Sequence, residues 1–192
     1  MQPVPIRLTH WINAAAIIGM MMSGWAIHNA SPLFGFSFPR WATLGGWLGG
    51  AIAWHLALMW LLVGNGLLYA IYLLGSGYYR RLRPPGPRAV LADIRAAARF
   101  RLQHRAGEYN AIQRLTYCVV LFAGVMLLLS GLALWKPVQL QTLAAALGGY
   151  EWARRVHFFA MAVIAGFTAL HVGMALLVPS VLWGMTLGSA GK

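Results

Sequence analysis

Six histidines, His10, His28, His55, His104, His157 and His171, are the residues of this 192-residue chain best suited to chemistry. Four of them, His10, His55, His157 and His171, fall within long apolar stretches. An ionisable side chain in such surroundings is costly without a partner, so each is a functional candidate. His157 and His171 are fourteen residues apart. At ~100° per residue they share a helix face to within ~40°, with ~21 Å of helix between them. One helix thus offers an imidazole at each of two levels, and each needs a partner at its own level from another helix.

Two facing imidazoles at two levels restrict the chemistry. Zinc takes three or four protein ligands, whereas the apolar stretches hold no Asp or Glu and a lone cysteine, Cys118. Haem iron takes two axial ligands from the protein, the porphyrin supplying the rest. Bis-histidine haem accounts for the even number of imidazoles and for the missing carboxylates. Gly19, Gly24, Gly45, Gly46, Gly49, Gly50, Gly124, Gly131, Gly166 and Gly173 leave room for flat macrocycles, although small residues also serve ordinary helix packing. With both axial positions filled by protein, the expected chemistry is electron transfer rather than oxygen or substrate binding.

The elements that must hold these residues are membrane helices. The chain is 60% hydrophobic and 9% charged, against a usual charged content of ~25%. Disorder, a collagen-like fibre and a soluble domain are excluded. Four stretches are long and apolar enough to cross a bilayer as helix: about 6–27, 41–74, 115–135 and 152–178. Pro32, Pro39 and the Lys136-Pro137 pair punctuate them, and Trp41, Trp135, Tyr150 and Trp152 sit near their borders as interfacial aromatics. The second stretch lies in a 39-residue run, 41–79, that carries no charge. It reads either as one long tilted helix or as two short spans turning near Gly64-Asn65-Gly66.

Charge placement sets the topology. The net charge is +12, with 15 Lys and Arg against 3 acids. Nine arginines, from Arg80 to Arg114, crowd the segment 79–114, which the positive-inside rule assigns to the cytoplasm. Arg7 and Lys192 join them there if the spans number four. The fold expected is an all-α, integral membrane four-helix bundle with both termini cytoplasmic, forming a single domain over 1–192. The basic charge is then mainly a topology signal, and a nucleic-acid partner is not expected. Within the loop, 89–102 has the pattern of an amphipathic helix lying at an anionic lipid surface. The first apolar region is too long for a signal peptide and lacks an A-x-A site, so it is expected to remain uncleaved. One cysteine allows no disulfide framework. In this topology His10 and His171 fall in the inner half of the membrane, His55 and His157 in the outer half, and the depths pair accordingly.

At this point the sequence resembles the four-helix di-haem cytochrome b subunits of bacterial formate dehydrogenases, nickel–iron hydrogenases and related periplasmic molybdoenzymes. The resemblance covers nearly the whole chain. It rests on Arg7-x-Thr9-His10-Trp11, on His55, on the His157 and His171 pair, and on Gly107-Glu108-Tyr109-Asn110-Ala111-Ile112-Gln113-Arg114. The last motif is more similar to the formate dehydrogenase branch. The resemblance implies two haem b groups, with His10, His55, His157 and His171 as ligands to iron. It also implies a quinone site near the inner haem, contacted by Asn110 and His171 with Tyr109, Gln113 and Arg114 nearby. Asn110 is equally suited to begin a helix.

The function expected is electron transfer across the bacterial inner membrane, between a periplasmic redox subunit and the quinone pool. That subunit would be of molybdoenzyme, formate dehydrogenase or hydrogenase type, docking on short outer loops at about 29–40 and 137–150. Lipid is the other partner, and a homo-oligomer is compatible with the same residues. Arg154 and Arg155, one turn before His157, and Arg7 near His10 are candidate partners of haem propionates. His28 and His104 read as solvated residues, and Met20, Met21 and Met22 as packing or lipid-facing ones. Two other readings stay open. One is a stand-alone membrane superoxide:quinone oxidoreductase of the same fold, the other a haem-free transporter that uses its histidines.

Overall fold

The computed structural model describes residues 3–77, 84–99, 110–177 and 179–186, and every regular element among them is helical. Seven α-helices follow one another: α1 (Val4–Ala30), α2 (Leu48–Gly75), α3 (Pro87–Ala98), α4 (Ala111–Trp135), α5 (Gln141–Ala146), α6 (Tyr150–Leu177) and α7 (Pro179–Thr186). Among the described residues α2, α4 and α6 are long and apolar enough to cross a membrane. Helix α1 has 27 residues, or ~40 Å of helix. Its hydropathy is diluted by Arg7, His10, Asn13, Ser23 and His28, the polar residues that the rest of the structure employs.

Helix boundaries follow local chemistry. Pro5 stands in the first turn of α1, where its missing N–H would have had no partner. The uncharged run from Trp41 does not begin a helix at once. A 3-10 turn at Arg40–Ala42 and left-handed Gly45 and Gly46, with φ of 112° and 71°, delay α2 until Leu48. Only glycine adopts such angles without strain. Helix α2 then runs unbroken through Gly64-Asn65-Gly66 to Gly75, which settles the choice between one long helix and two short spans. Helix α4 opens on a capping box, in which the Asn110 side chain accepts from the Gln113 N–H and the Gln113 side chain accepts from the Asn110 N–H. Asp93 on α3 adds a second cap by accepting from the Ala111 N–H at 2.6 Å. The amphipathic helix expected over 89–102 is α3, which begins two residues earlier, at Pro87, and runs to Ala98; residues 100–102 lie outside the described residues.

The described residues divide into two compact units, drawn from Met1–Tyr72 with Thr168–Lys192 and from Leu73–Phe167. In the first unit, Asn65 clamps α2 to α1. Its Nδ2 donates to the Thr9 carbonyl and to Asn13 Oδ1, both at 2.7 Å, and the side chain is buried. Asn29 holds the following loop by pairing with both the N–H and the carbonyl of Phe38 at 2.8 Å. Helix α7 is tied back to α1 through its C-terminal carbonyls: Trp11 Nε1 donates to Met185 O at 3.0 Å, and Arg7 donates to Thr186 O. In the second unit Ala133, Ala144 and Ala153 pack together with Leu134, Leu143 and Leu147 around them.

The packing is that of a protein whose solvent is lipid. Its buried apolar residues are nearly all alanines, among them Ala16, Ala51, Ala123 and Ala160, while Leu67, Leu68, Ile71, Phe122 and Leu170 point outward. Small residues allow helices to approach closely where hydrocarbon offers no drive to bury large ones. Replacing Asn65 by Leu strands the Thr9 carbonyl contact and Asn13. It should lower stability by ~1 kcal/mol, read as a fall in the midpoint of thermal unfolding in detergent; an unchanged midpoint would show that the clamp carries no weight.

Candidate cofactor site around the membrane histidines

In the first unit, His55 on α2 meets Ser23 on α1, with Nδ1 3.0 Å from the serine Oγ. The same hydroxyl lies 2.8 Å from the Gly19 carbonyl and 3.1 Å from that of Met20. Gly24 is next to it, and a Cβ there would stand 3.4 Å from His55 Cε1. The second unit builds the same arrangement around His157 on α6. Its Nδ1 lies 3.0 Å from Ser130 Oγ on α4, and that hydroxyl also bonds the Met126 carbonyl. Gly131 is next to it, where a Cβ would stand 3.2 Å from His157 Cε1.

His10 and His171 form a direct pair in the first unit. Their ring centres are 6.0 Å apart and the planes are inclined by 66°. This is no stacking contact. Two metal–imidazole bonds of ~2 Å each, plus the distance from each nitrogen to its own ring centre, sum to about 6 Å. The pair has the spacing of two axial ligands with one metal ion between them. Trp11 packs edge-on against the His10 ring at 5.4 Å, and the Asn65 bond to the Thr9 carbonyl pins the turn of α1 that carries His10. Among the described residues no three His, Cys, Asp or Glu side chains converge on one point.

The other residues singled out in the sequence fall as follows. Asn110 and Gln113 engage one another in the α4 cap, which takes up Asn110 Oδ1. Tyr109 and His104 lie outside the described residues. Arg114 and Arg7 each keep a buried Nε with no hydrogen-bond partner, although Arg7 also reaches Thr186 O through its Nη2. Arg154 pairs with Glu151 at 3.2 Å, and the Arg155 guanidinium lies over the Trp152 ring at 4.8 Å. His28 departs from its expected solvated state. It is buried, stacked on Phe36 at 5.2 Å and edge-on to Phe38 at 5.4 Å, because the Asn29 clamp folds the apolar loop back over the end of α1.

Sequence reasoning missed Ser23, Ser130, Asn13 and Asn65. A signal existed for the serines, since Ser-Gly-x-Ala occurs at Ser23-Gly24-Trp25-Ala26 and again at Ser130-Gly131-Leu132-Ala133. It is short and easily passed over as small-residue packing.

Comparison with known proteins gives two findings. The family described as prokaryotic cytochrome b561 matches residues 1–188. A chain from Azospira oryzae, described provisionally as the protein-methionine-sulfoxide reductase subunit YedZ1, is 45% identical over 188 residues, covering 97% of this chain and 95% of its own. No solved structure matches.

The tightness at Gly131 generates a prediction. A Cβ at 3.2 Å from the His157 ring already forces a small displacement, and a branched side chain forces a larger one. Gly131→Val should therefore lower the b-type haem content of the purified chain, measured as haem per polypeptide, while Gly24→Ala, with its wider gap, retains it. Full haem content in Gly131→Val would show that the His157 ring does not need that clearance.

Proposed function

The chain belongs to the prokaryotic cytochrome b561 family, and from that premise we propose that it passes electrons through two haem b groups between the quinone pool and a periplasmic redox subunit. It is a multi-pass b-type cytochrome of the bacterial inner membrane. Membership of a cytochrome family displaces the haem-free transporter reading. The observation that carries the proposal is the His10 and His171 pair, whose ring centres lie 6.0 Å apart on α1 and α6.

In this reading His10 and His171 hold the inner haem. His55 and His157 hold the outer one, on the depth argument from the sequence together with the serine-anchored rings that each presents. Haem b, when bound, supplies reversible one-electron chemistry; the protein supplies ligation, depth and a low dielectric. With two imidazoles to hold each group, the chemistry it would supply is electron transfer rather than binding of oxygen or small anions. Arg7 Nε and Arg114 Nε are buried donors without an acceptor. A propionate beside Arg7 and a quinone carbonyl beside Arg114 would each supply one. Asn110 spends its Oδ1 on the cap, which leaves its Nδ2 as the donor for a quinone carbonyl beside Gln113 and Arg114. Arg154 and Arg155 remain candidates for the outer propionates, at the cost of exchanging Glu151 and Trp152 for a stronger acceptor.

The relative from Azospira oryzae is described as a subunit of a reductase. That favours quinol as the electron donor and a periplasmic reductase of molybdoenzyme type as the acceptor, with His10, His171, His55 and His157 as the residues that would hold the groups between them. It also favours a complex over a stand-alone superoxide:quinone oxidoreductase.

Purification from mild detergent and a reduced-minus-oxidised spectrum test the reading. Two b-type haems per chain are expected, both reducible by a soluble quinol analogue. His10→Ala and His171→Ala should each remove one haem, His55→Ala and His157→Ala the other. A chain holding no haem, or losing both haems equally with every substitution, would contradict it.

A further inference from the structure

Two constellations in this chain repeat one another. In each, a helix offers Ser-Gly-x-Ala to a histidine on a later long helix: Ser23-Gly24 on α1 to His55 on α2, and Ser130-Gly131 on α4 to His157 on α6. The Oγ to Nδ1 distance is 3.0 Å in both. Both serines are 0% exposed, so neither water nor a lipid headgroup competes for the hydroxyl.

Hydrogen accounting fixes the direction of the bonds. A serine hydroxyl has one hydrogen, and a backbone carbonyl can only accept. Ser23 Oγ lies 2.8 Å from the Gly19 carbonyl, and Ser130 Oγ lies closer still to that of Met126. Two oxygens at such separations require a hydrogen between them, so each serine donates backward within its own helix. What it offers the imidazole is a lone pair. Nδ1 must then carry the ring hydrogen and donate to the serine. Nε2 is left as the nitrogen with the lone pair.

We propose that Ser23 and Ser130 are positioning residues that select the Nδ1–H tautomer and fix the ring plane of His55 and His157, so that each ring is left with Nε2 as the nitrogen able to bind iron. The proposal rests on the reading of His55 and His157 as axial ligands. A hydroxyl is a weaker acceptor than a carboxylate, so each imidazole stays neutral and of moderate donor strength. Removing the acceptor makes the imidazole a poorer donor, destabilises the ferric state relative to the ferrous, and raises the potential of that haem. The repeat does not extend to His10 and His171. Ser23 follows His10 by thirteen residues, but Tyr117 stands thirteen before Ser130. His171 follows His157 by fourteen, but Tyr69 stands fourteen after His55. The inner pair therefore has no counterpart, and the serines should tune the outer haem alone.

The test is a redox titration with low-temperature electron paramagnetic resonance on the full haem-loaded chain in detergent. Ser23→Ala and Ser130→Ala are each expected to raise the potential of the same haem, shift its low-spin signal and leave the other haem unchanged. Ser23→Thr and Ser130→Thr, which keep the hydroxyl, should restore both properties. Loss of the outer haem in an alanine variant and its retention in the threonine variant would equally support the role. Alanine variants that alter neither haem, alter both alike or alter different haems would overturn it, as would loss of haem from the threonine variants. His55→Ala separates the two levels of inference. If it removes one haem while the serine variants behave as wild type, only the serine role fails; if it removes none, the ligand assignment itself fails.

Discussion

An imidazole placed in hydrocarbon must satisfy both of its ring nitrogens, and the arrangement of this protein follows from that requirement. One nitrogen has to give its proton to an acceptor, the other has to find a donor or a metal, and lipid provides neither. For His55 and His157 the first need is met by a buried serine. For His10 and His171 the opposing ring stands at the distance where a single metal ion meets both second needs. The helices are the means of bringing these partners to the same depth.

The same economy shapes the surroundings. A serine inside a helix bonds the carbonyl four residues back, at little cost to the helix, and is still able to accept from a neighbouring ring. A glycine beside it gives the ring room. Asn65 performs a comparable task one level inward, joining α2 to the turn of α1 that holds His10. The polar side chains beside these imidazoles are paired across helices, while large apolar side chains such as Leu67, Phe122 and Leu170 face outward.

Much of this was legible in the sequence, and the reasons for the remainder are physical. Long apolar stretches and arginine placement gave an all-helical membrane protein, because hydrocarbon admits little else. Four histidines in those stretches stood out because they are costly there. Partnerships between distant residues were not legible. Ser23 and Ser130 look like packing residues until a ring is seen against them, and Asn65, flanked by two glycines, looks like a turn until its bonds to α1 are known. The start of α2 depended on left-handed Gly45 and Gly46, which composition does not reveal. His28 was misjudged because its burial comes from Phe36 and Phe38, brought back by a loop clamp. Tyr109 and His104 lie outside the described residues.

The central claim is that four imidazoles, two by two, fill both axial positions of two irons. Low-temperature electron paramagnetic resonance of the oxidised wild-type chain, quantified against total haem, tests it most directly. Two low-spin ferric signals of equal intensity are predicted, neither altered by added cyanide. A high-spin signal, or one that cyanide converts, would show an open axial position and contradict the account.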